Sequence, residues 1–145
     1  MKKAAKCLSP TEIEARLNEA GVQATAQRIA IARYVLCEAE HPTALDVKQW
    51  TDLNFPKLSL ATVYNTLNVL VQTGLLRELR LPHSDKAIYD DNLSRHHHFY
   101  DEKTGELFDV DEKECQVHVN LDKGLKVRDV EVFIRGQKTE TKMKV

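Results

Sequence analysis

Ser59-Leu60-Ala61-Thr62-Val63-Tyr64-Asn65-Thr66-Leu67-Asn68-Val69-Leu70-Val71, closed by Gly74 and followed by Leu75-Leu76-Arg77-Glu78-Leu79, decides the fold. Val63, Leu67, Leu70 and Val71 recur at i, i+4, i+7 and i+8, the spacing of one apolar helix stripe. Ser59 supplies a capping hydroxyl and Gly74 a stop. Thr62, Tyr64, Asn65 and Asn68 fall on the opposite side as a polar, hydrogen-bonding front. After Gly74 the period changes from helical to alternating. Leu75–Leu79 and Lys86–Tyr89 flank the turn-forming Pro82-His83-Ser84-Asp85, so a two-stranded hairpin follows the helix.

Three helices are expected upstream. Ser9-Pro10-Thr11-Glu12 is a capping box with proline at the first helical position; Ile13, Leu17 and Ala20 make its buried stripe and Gly21 its stop. A second helix starts at Thr25, carries Ile29, Ala32 and Leu36 on one face, and ends before His41-Pro42. Thr43-Ala44-Leu45-Asp46 opens a third, with Val47 and Trp50 inward and Asn54-Phe55-Pro56 as its break. Helices followed by a hairpin describe a winged helix-turn-helix, and the fourth helix has the apolar rear and polar front that a major groove requires.

The second half reads as strand-rich. His96–Tyr100, a turn over Asp101-Glu102-Lys103-Thr104-Gly105, and Glu106–Val110 form a second hairpin. Val127–Ile134 alternates through Val130, Val132 and Ile134, which predicts another strand. Asp111–Leu121 reads both ways, acidic at its start like a helix and alternating later like a strand. The expected class is therefore α+β. A winged-helix DNA-binding domain covers residues 1–88 with a hinge to about 92, and a second domain covers 93–145.

Composition narrows the possible classes. The chain has 145 residues, 42% apolar and 30% charged, a globular balance without a disorder signature. No apolar run approaches the roughly 20 residues that span a bilayer. Met1-Lys2-Lys3-Ala4-Ala5-Lys6 starts like a signal peptide, but Ser9-Pro10-Thr11-Glu12 stands where an apolar segment belongs, so a cytoplasmic protein with no membrane partner is expected. Cys7, Cys37 and Cys115 are scattered with no C-x-x-C pair. Three reduced, mostly buried thiols are expected, with neither a disulfide framework nor a thiolate zinc site. Residues 1–86 carry 11 Lys+Arg against 9 Asp+Glu, and residues 87–145 carry 10 against 13. That contrast is small, but it fits a DNA-facing front and a metal-holding back.

The densest chemistry lies in Asp90-Asp91-Asn92-Leu93-Ser94-Arg95-His96-His97-His98. On a strand, His96 and His98 share a face while His97 points the other way as a structural residue. Asp109, on the returning strand, reaches the same point, and Asp90 lies just ahead of the strand. Asp91 and Asp111 are the alternative carboxylates. Donors of this kind, without sulfur, suit Fe²⁺ or Mn²⁺, although Zn²⁺ binds such a set at least as tightly in vitro. His83 and His118 read as surface residues, and Tyr64 as either a core aromatic or a contact to DNA.

Four collinear motifs carry a resemblance. Leu60-Ala61-Thr62-Val63-Tyr64-Asn65-Thr66-Leu67 resembles the recognition helix of the ferric uptake regulator (Fur) superfamily. Ala24-Thr25-Ala26-Gln27-Arg28, His41-Pro42-Thr43-Ala44 and the histidine run with its hairpin resemble the family's other motifs, together covering about residues 10–136. The resemblance implies a metal-dependent repressor, not an enzyme: a winged helix joined to an α/β dimerisation domain, binding a pseudo-palindromic double-stranded operator as a homodimer. With aspartate at both carboxylate positions, the site resembles that of the peroxide-sensing PerR branch. It implies His41, Asp90, His96, His98 and Asp109 as ligands, with His41 and His96 oxidised when hydrogen peroxide meets bound iron. Ser59, Thr62, Tyr64 and Asn65 would face DNA, with Arg28 and Lys57 on phosphates. Two other functions fit the same ligands: an iron- or manganese-responsive repressor without peroxide chemistry, and a small non-haem metal enzyme. Many relatives hold structural zinc with two C-x-x-C pairs, where this chain has Asp101 and Thr104, then Lys138 and Thr141, so no structural zinc is expected.

Overall fold

The computed structural model describes residues 7–82 and 84–139, so His83 and Thr141 lie outside the described residues. These divide into two compact units, with the boundary between Leu93 and Ser94. The architecture is α+β. Among the described residues no helix is long and apolar enough to cross a membrane.

The first unit contains helices α1 (Pro10–Glu19), α2 (Ala26–Cys37), α3 (Ala44–Asn54) and α4 (Leu60–Gln72), then strands β1 (Arg77–Arg80) and β2 (Ala87–Asp90). Each helix starts on a hydroxyl cap. Ser9, Thr25, Thr43 and Ser59 accept the amides of Glu12, Arg28, Asp46 and Thr62, each such cap stabilising by about 1 kcal/mol. The helices close around Ile13, Leu17, Ile31, Val35, Leu36, Val47, Val63, Leu67 and Leu70.

Two details differ from expectation. Ala20 is exposed and forms the C-cap of α1, with Gly21 turning the chain at φ 76°. Helix α2 packs on α1, α3 and α4, so its buried face broadens to Ile31, Ala32, Val35 and Leu36 while Ile29 stays half-buried. Trp50 closes the edge of the core, stacked on Tyr34 with ring centroids 4.4 Å apart.

Strands β1 and β2 form an antiparallel hairpin in which Arg77 pairs with Asp90 and Leu79 with Ile88. The Tyr89 amide donates to the Pro42 carbonyl at 2.9 Å, fastening the hairpin to the segment that opens α3. That bond sets the end of β2 beside His41.

The expectation of three thiols is corrected. Cys7 and Cys37 are disulfide-bonded with Cα atoms 4.5 Å apart, and only Cys115 is free among the described residues. The hairpin of α1 and α2 returns the chain so that the residue ahead of α1 meets the end of α2. A separation of 30 positions gives no hint of this.

The second unit is a three-stranded sheet in the order β4-β3-β5. Strand β3 (His96–Asp101) runs antiparallel to β4 (Leu107–Asp111) and parallel to β5 (Phe133–Gly136). A parallel pair requires a long crossover, which here passes through a 3₁₀ turn at Glu112–Glu114 and then irregular chain. Val117, Val119, Leu121, Leu125 and Val127 along it are exposed. The strand expected over 127–134 is displaced to Phe133–Gly136, because only there does the chain pair with β3. The stretch 115–121 is neither helix nor strand.

Candidate metal centre

In the second unit β3 presents His96 and His98 on one face, both buried, with their Nε2 atoms 3.1 Å apart. Asp109 stands opposite His98 in the ladder. Its Oδ1 lies 3.5 Å from His96 Nε2 and 3.7 Å from His98 Nε2. The Ser94 carbonyl is 2.7 Å from His96 Nδ1. A carbonyl only accepts, so the proton of a neutral His96 sits on Nδ1 and the Nε2 lone pair faces the cluster. His97 points the other way, where its Nδ1 accepts the Val132 amide at 3.0 Å. Asp111 is occupied elsewhere: its carboxylate accepts the Lys113 amide at 2.8 Å and caps the 3₁₀ turn.

The first unit holds the other two residues. His41 lies between α2 and α3 at φ 47°, a left-handed conformation that non-glycine residues seldom adopt. Its Nε2 is 3.8 Å from Asp90 Oδ2. Asp90 is 2% exposed, and its other oxygen accepts the Asn92 amide at 2.9 Å. Asp91 is half-buried next to it.

Both sets have donors of the right kind for a cation, and the three donors of the second unit also have about the right spacing. Bonds of about 2.1 Å put neighbouring ligands about 3.0 Å apart in an octahedron and about 3.4 Å apart in a tetrahedron. The separations of 3.1, 3.5 and 3.7 Å in the second unit are of that size. Imidazole and carboxylate without thiolate suit Fe²⁺, Mn²⁺ or Zn²⁺.

On α4, Tyr64 is 43% exposed and Asn65 and Asn68 are exposed, while Val63 and Leu67 are buried behind them. Thr62 is half-buried and its hydroxyl lies 3.1 Å from that of Ser59, so this pair mainly serves the helix start. Lys57 is exposed. Arg28 donates one guanidinium N–H to the Gln23 carbonyl at 2.7 Å, which holds its side chain at the start of α2. Sequence reasoning did not place Arg80 and Lys86. With Tyr64, Asn68 and the carboxylates Glu78 and Asp85 they line a hollow of about 390 Å³ between α4 and the hairpin, and the Arg80 guanidinium lies 3.3 Å from the Glu78 carboxylate. Their placement depends on hairpin register; the only available signal was two cations flanking a turn.

Asp101 was also missed as a structural residue. It is 1% exposed, and its Oδ1 accepts the amides of Lys103 and Thr104 at 2.8 and 3.2 Å. Its Oδ2 accepts the Lys138 amide at 3.3 Å. One carboxylate thus joins the β3–β4 turn to the chain after β5. Burial pushes the carboxyl up, but the hydrogen bonds from Lys103, Thr104 and Lys138 outweigh it and hold it below the usual aspartate value.

Comparison with known proteins agrees with this architecture. The peroxide-responsive repressor PerR of Staphylococcus epidermidis is 40% identical over 95 residues, covering 66% of this chain and 63% of that protein. The match therefore spans just under two thirds of that relative's length. The solved structure of PerR from Streptococcus pyogenes, described as a basis for peroxide sensing and gene regulation, is 29% identical with a TM-score of 0.53. It covers 88% of this chain and 89% of that one. The ferric uptake regulator of Vibrio cholerae, 17% identical, shares the fold at a TM-score of 0.65 over 86% of this chain and 98% of its own. The family model described as the ferric uptake regulator family, a family of regulators rather than enzymes, matches residues 19–135. This chain belongs to the ferric uptake regulator family.

Proposed function

We propose that the chain is a cytoplasmic, metal-dependent transcriptional repressor that binds a pseudo-palindromic DNA operator as a homodimer and responds to hydrogen peroxide through its ligand histidines. The observation that carries this reading is the convergence of His96, His98 and Asp109 on one face of β3 and β4. His41 and Asp90 supply a second donor pair in the unit that carries α4. Sharing one ion between the two sets would favour a single orientation of the helical unit and hence one presentation of α4 to DNA. Bound Fe²⁺ would supply one-electron reduction of peroxide beside the imidazoles, whereas bound Mn²⁺ would hold the sets without that chemistry. The Ser94 carbonyl orients His96 for this role, and Asp90 is held by the Asn92 amide. Oxygenation of His41 or His96 would weaken its lone-pair donation, so the two sets would part and α4 would lose its alignment. Tyr64 and Asn65 would meet base edges or sugar, while Lys57 and Arg28 would meet phosphates.

The experiment loads the full chain with Fe²⁺ or Mn²⁺ and measures its binding to a duplex selected from random DNA by the Mn²⁺ form, before and after peroxide. The Fe²⁺ form should lose affinity and gain one oxygen on a peptide holding His41 or His96; the Mn²⁺ form should retain affinity. Equal retention by both forms would leave an iron- or manganese-responsive repressor and end the peroxide-sensing claim. The same donors are equally suited to Mn²⁺, which favours that second function over any other.

A further inference from the structure

We propose that Cys7 and Cys37 form a second, thiol-based redox site: a reversible disulfide in the helical unit, chemically separate from the imidazole and carboxylate donors. The fold itself brings the two sulfurs together. Leu8, next to Cys7, packs against the core, and its carbonyl lies 3.8 Å from Cys37 Sγ. Cys37 is the last residue of α2, fixed by the fully packed Leu36 before it. Reduction would therefore leave the two thiols as neighbours, a preorganised pair rather than two thiols that must search for each other. Both cysteines are half-buried, so neither is sealed from a small oxidant. Cys115 belongs to the second unit and is free.

The oxidant is a hydroperoxide. One thiolate sulfur attacks a peroxide oxygen, the O–O bond breaks, the first water leaves and the sulfur becomes a sulfenic acid. The other sulfur then attacks it, the S–S bond forms and the sulfenic oxygen leaves as a second water. Two thiols and one hydrogen peroxide give one disulfide and two waters, with two electrons passing from sulfur to oxygen. A dithiol reductant returns both thiols by exchange and becomes a disulfide itself. In a reducing compartment such a bond persists only while oxidant is present. That persistence rests on the cytoplasmic location proposed above; the thiol chemistry does not. The bond clamps the end of α2, with only Glu38, Ala39 and Glu40 between Cys37 and His41.

The test uses the full chain, reduced with dithiothreitol, desalted without oxygen, loaded with Mn²⁺ and treated with hydrogen peroxide. Peptide mapping under non-reducing conditions should show a loss of two hydrogens, located on one cross-linked peptide pair containing Cys7 and Cys37. Dithiothreitol should restore both thiols completely. Cys37→Ser and, as a second variant, Cys7→Ala should abolish the cross-link while keeping the helical circular dichroism of the parent. Persistent free thiols, sulfinic or sulfonic acids on separate peptides, or a link that dithiothreitol does not open would overturn the proposal. Histidine oxidation adds oxygen and requires the Fe²⁺ form, whereas this bond removes hydrogen in both metal forms. Failure of either reaction is thus visible independently of the other.

Discussion

Asp101 shows how one side chain takes over a joining task in this chain. Its two oxygens accept three backbone amides, from Lys103 and Thr104 in the turn and from Lys138 after β5. The carboxylate form is the one these donors favour, so the folded state holds this group below its unfolded value. A depressed carboxyl stabilises the fold above the unfolded pKa, and that stabilisation is lost as pH falls through the folded pKa. Asp101→Asn should therefore lower the melting temperature of the sheet unit at neutral pH. The gap between variant and parent should close as pH falls from about 4 downwards. A gap that stays constant to pH 2 would show that charge at Asp101 contributes nothing. Residues in the donor cluster were legible to different degrees. Strand alternation alone separates His96 and His98 from His97. Strand pattern and register alone do not choose Asp109 over Asp111, because the ladder opposes Asp109 to His98 and Asp111 to His96. What separates them is that the Asp111 carboxylate accepts the Lys113 amide and caps the 3₁₀ turn. His97's acceptance of the Val132 amide was out of reach, since no periodicity links residues 35 positions apart.

At the scale of elements, the four helices were readable because each carries its own punctuation. Ser9, Thr25, Thr43 and Ser59 all cap where a hydroxyl precedes an apolar period. Helix α4 adds a strong stripe, and its Leu67 is fully buried in the shared core. Leu67→Ala should cost about 3 kcal/mol, within the usual 2–5 for such a truncation. Urea titration followed by helical circular dichroism should show that loss, and a cost below about 1 kcal/mol would mean the core is not formed as described. Strands outside hairpins were less legible. Alternation at 127–134 states which residues share a face but not where a partner strand lies, and β5 forms only from Phe133 to Gly136. The Cys7–Cys37 bond failed to show for the same reason: it depends on α1 folding back along α2. Closing a loop of 30 residues removes unfolded-chain entropy worth about 3–4 kcal/mol. On that scale the oxidised bond outweighs any single helix cap in the unit.

For the whole molecule, the proposed switch depends on two incomplete donor sets. His96, His98 and Asp109 alone offer three donors, enough to retain an ion with reduced affinity. His41 and Asp90 offer two, and they sit in the unit whose α4 carries Tyr64 and Asn65. If one ion serves both sets, DNA affinity and metal affinity are linked, and each should change the other by the same factor. Couplings of this kind typically amount to about 5–150-fold. His41→Ala should separate the two properties. The variant should still bind Mn²⁺, more weakly than the parent, because the β3–β4 donors remain. Its DNA affinity should no longer rise on adding the metal, since nothing in the α4 unit except Asp90 would sense it. His98→Ala, by contrast, removes a donor from the larger set and should lose metal binding and metal-dependent DNA binding together. The measurements are Mn²⁺ titration by calorimetry and gel shift with and without Mn²⁺ at fixed ionic strength, because phosphate contacts make DNA affinity steeply salt-dependent. If His41→Ala keeps the parent's full metal dependence on DNA, the ion acts through the second unit alone, and the shared site must be abandoned.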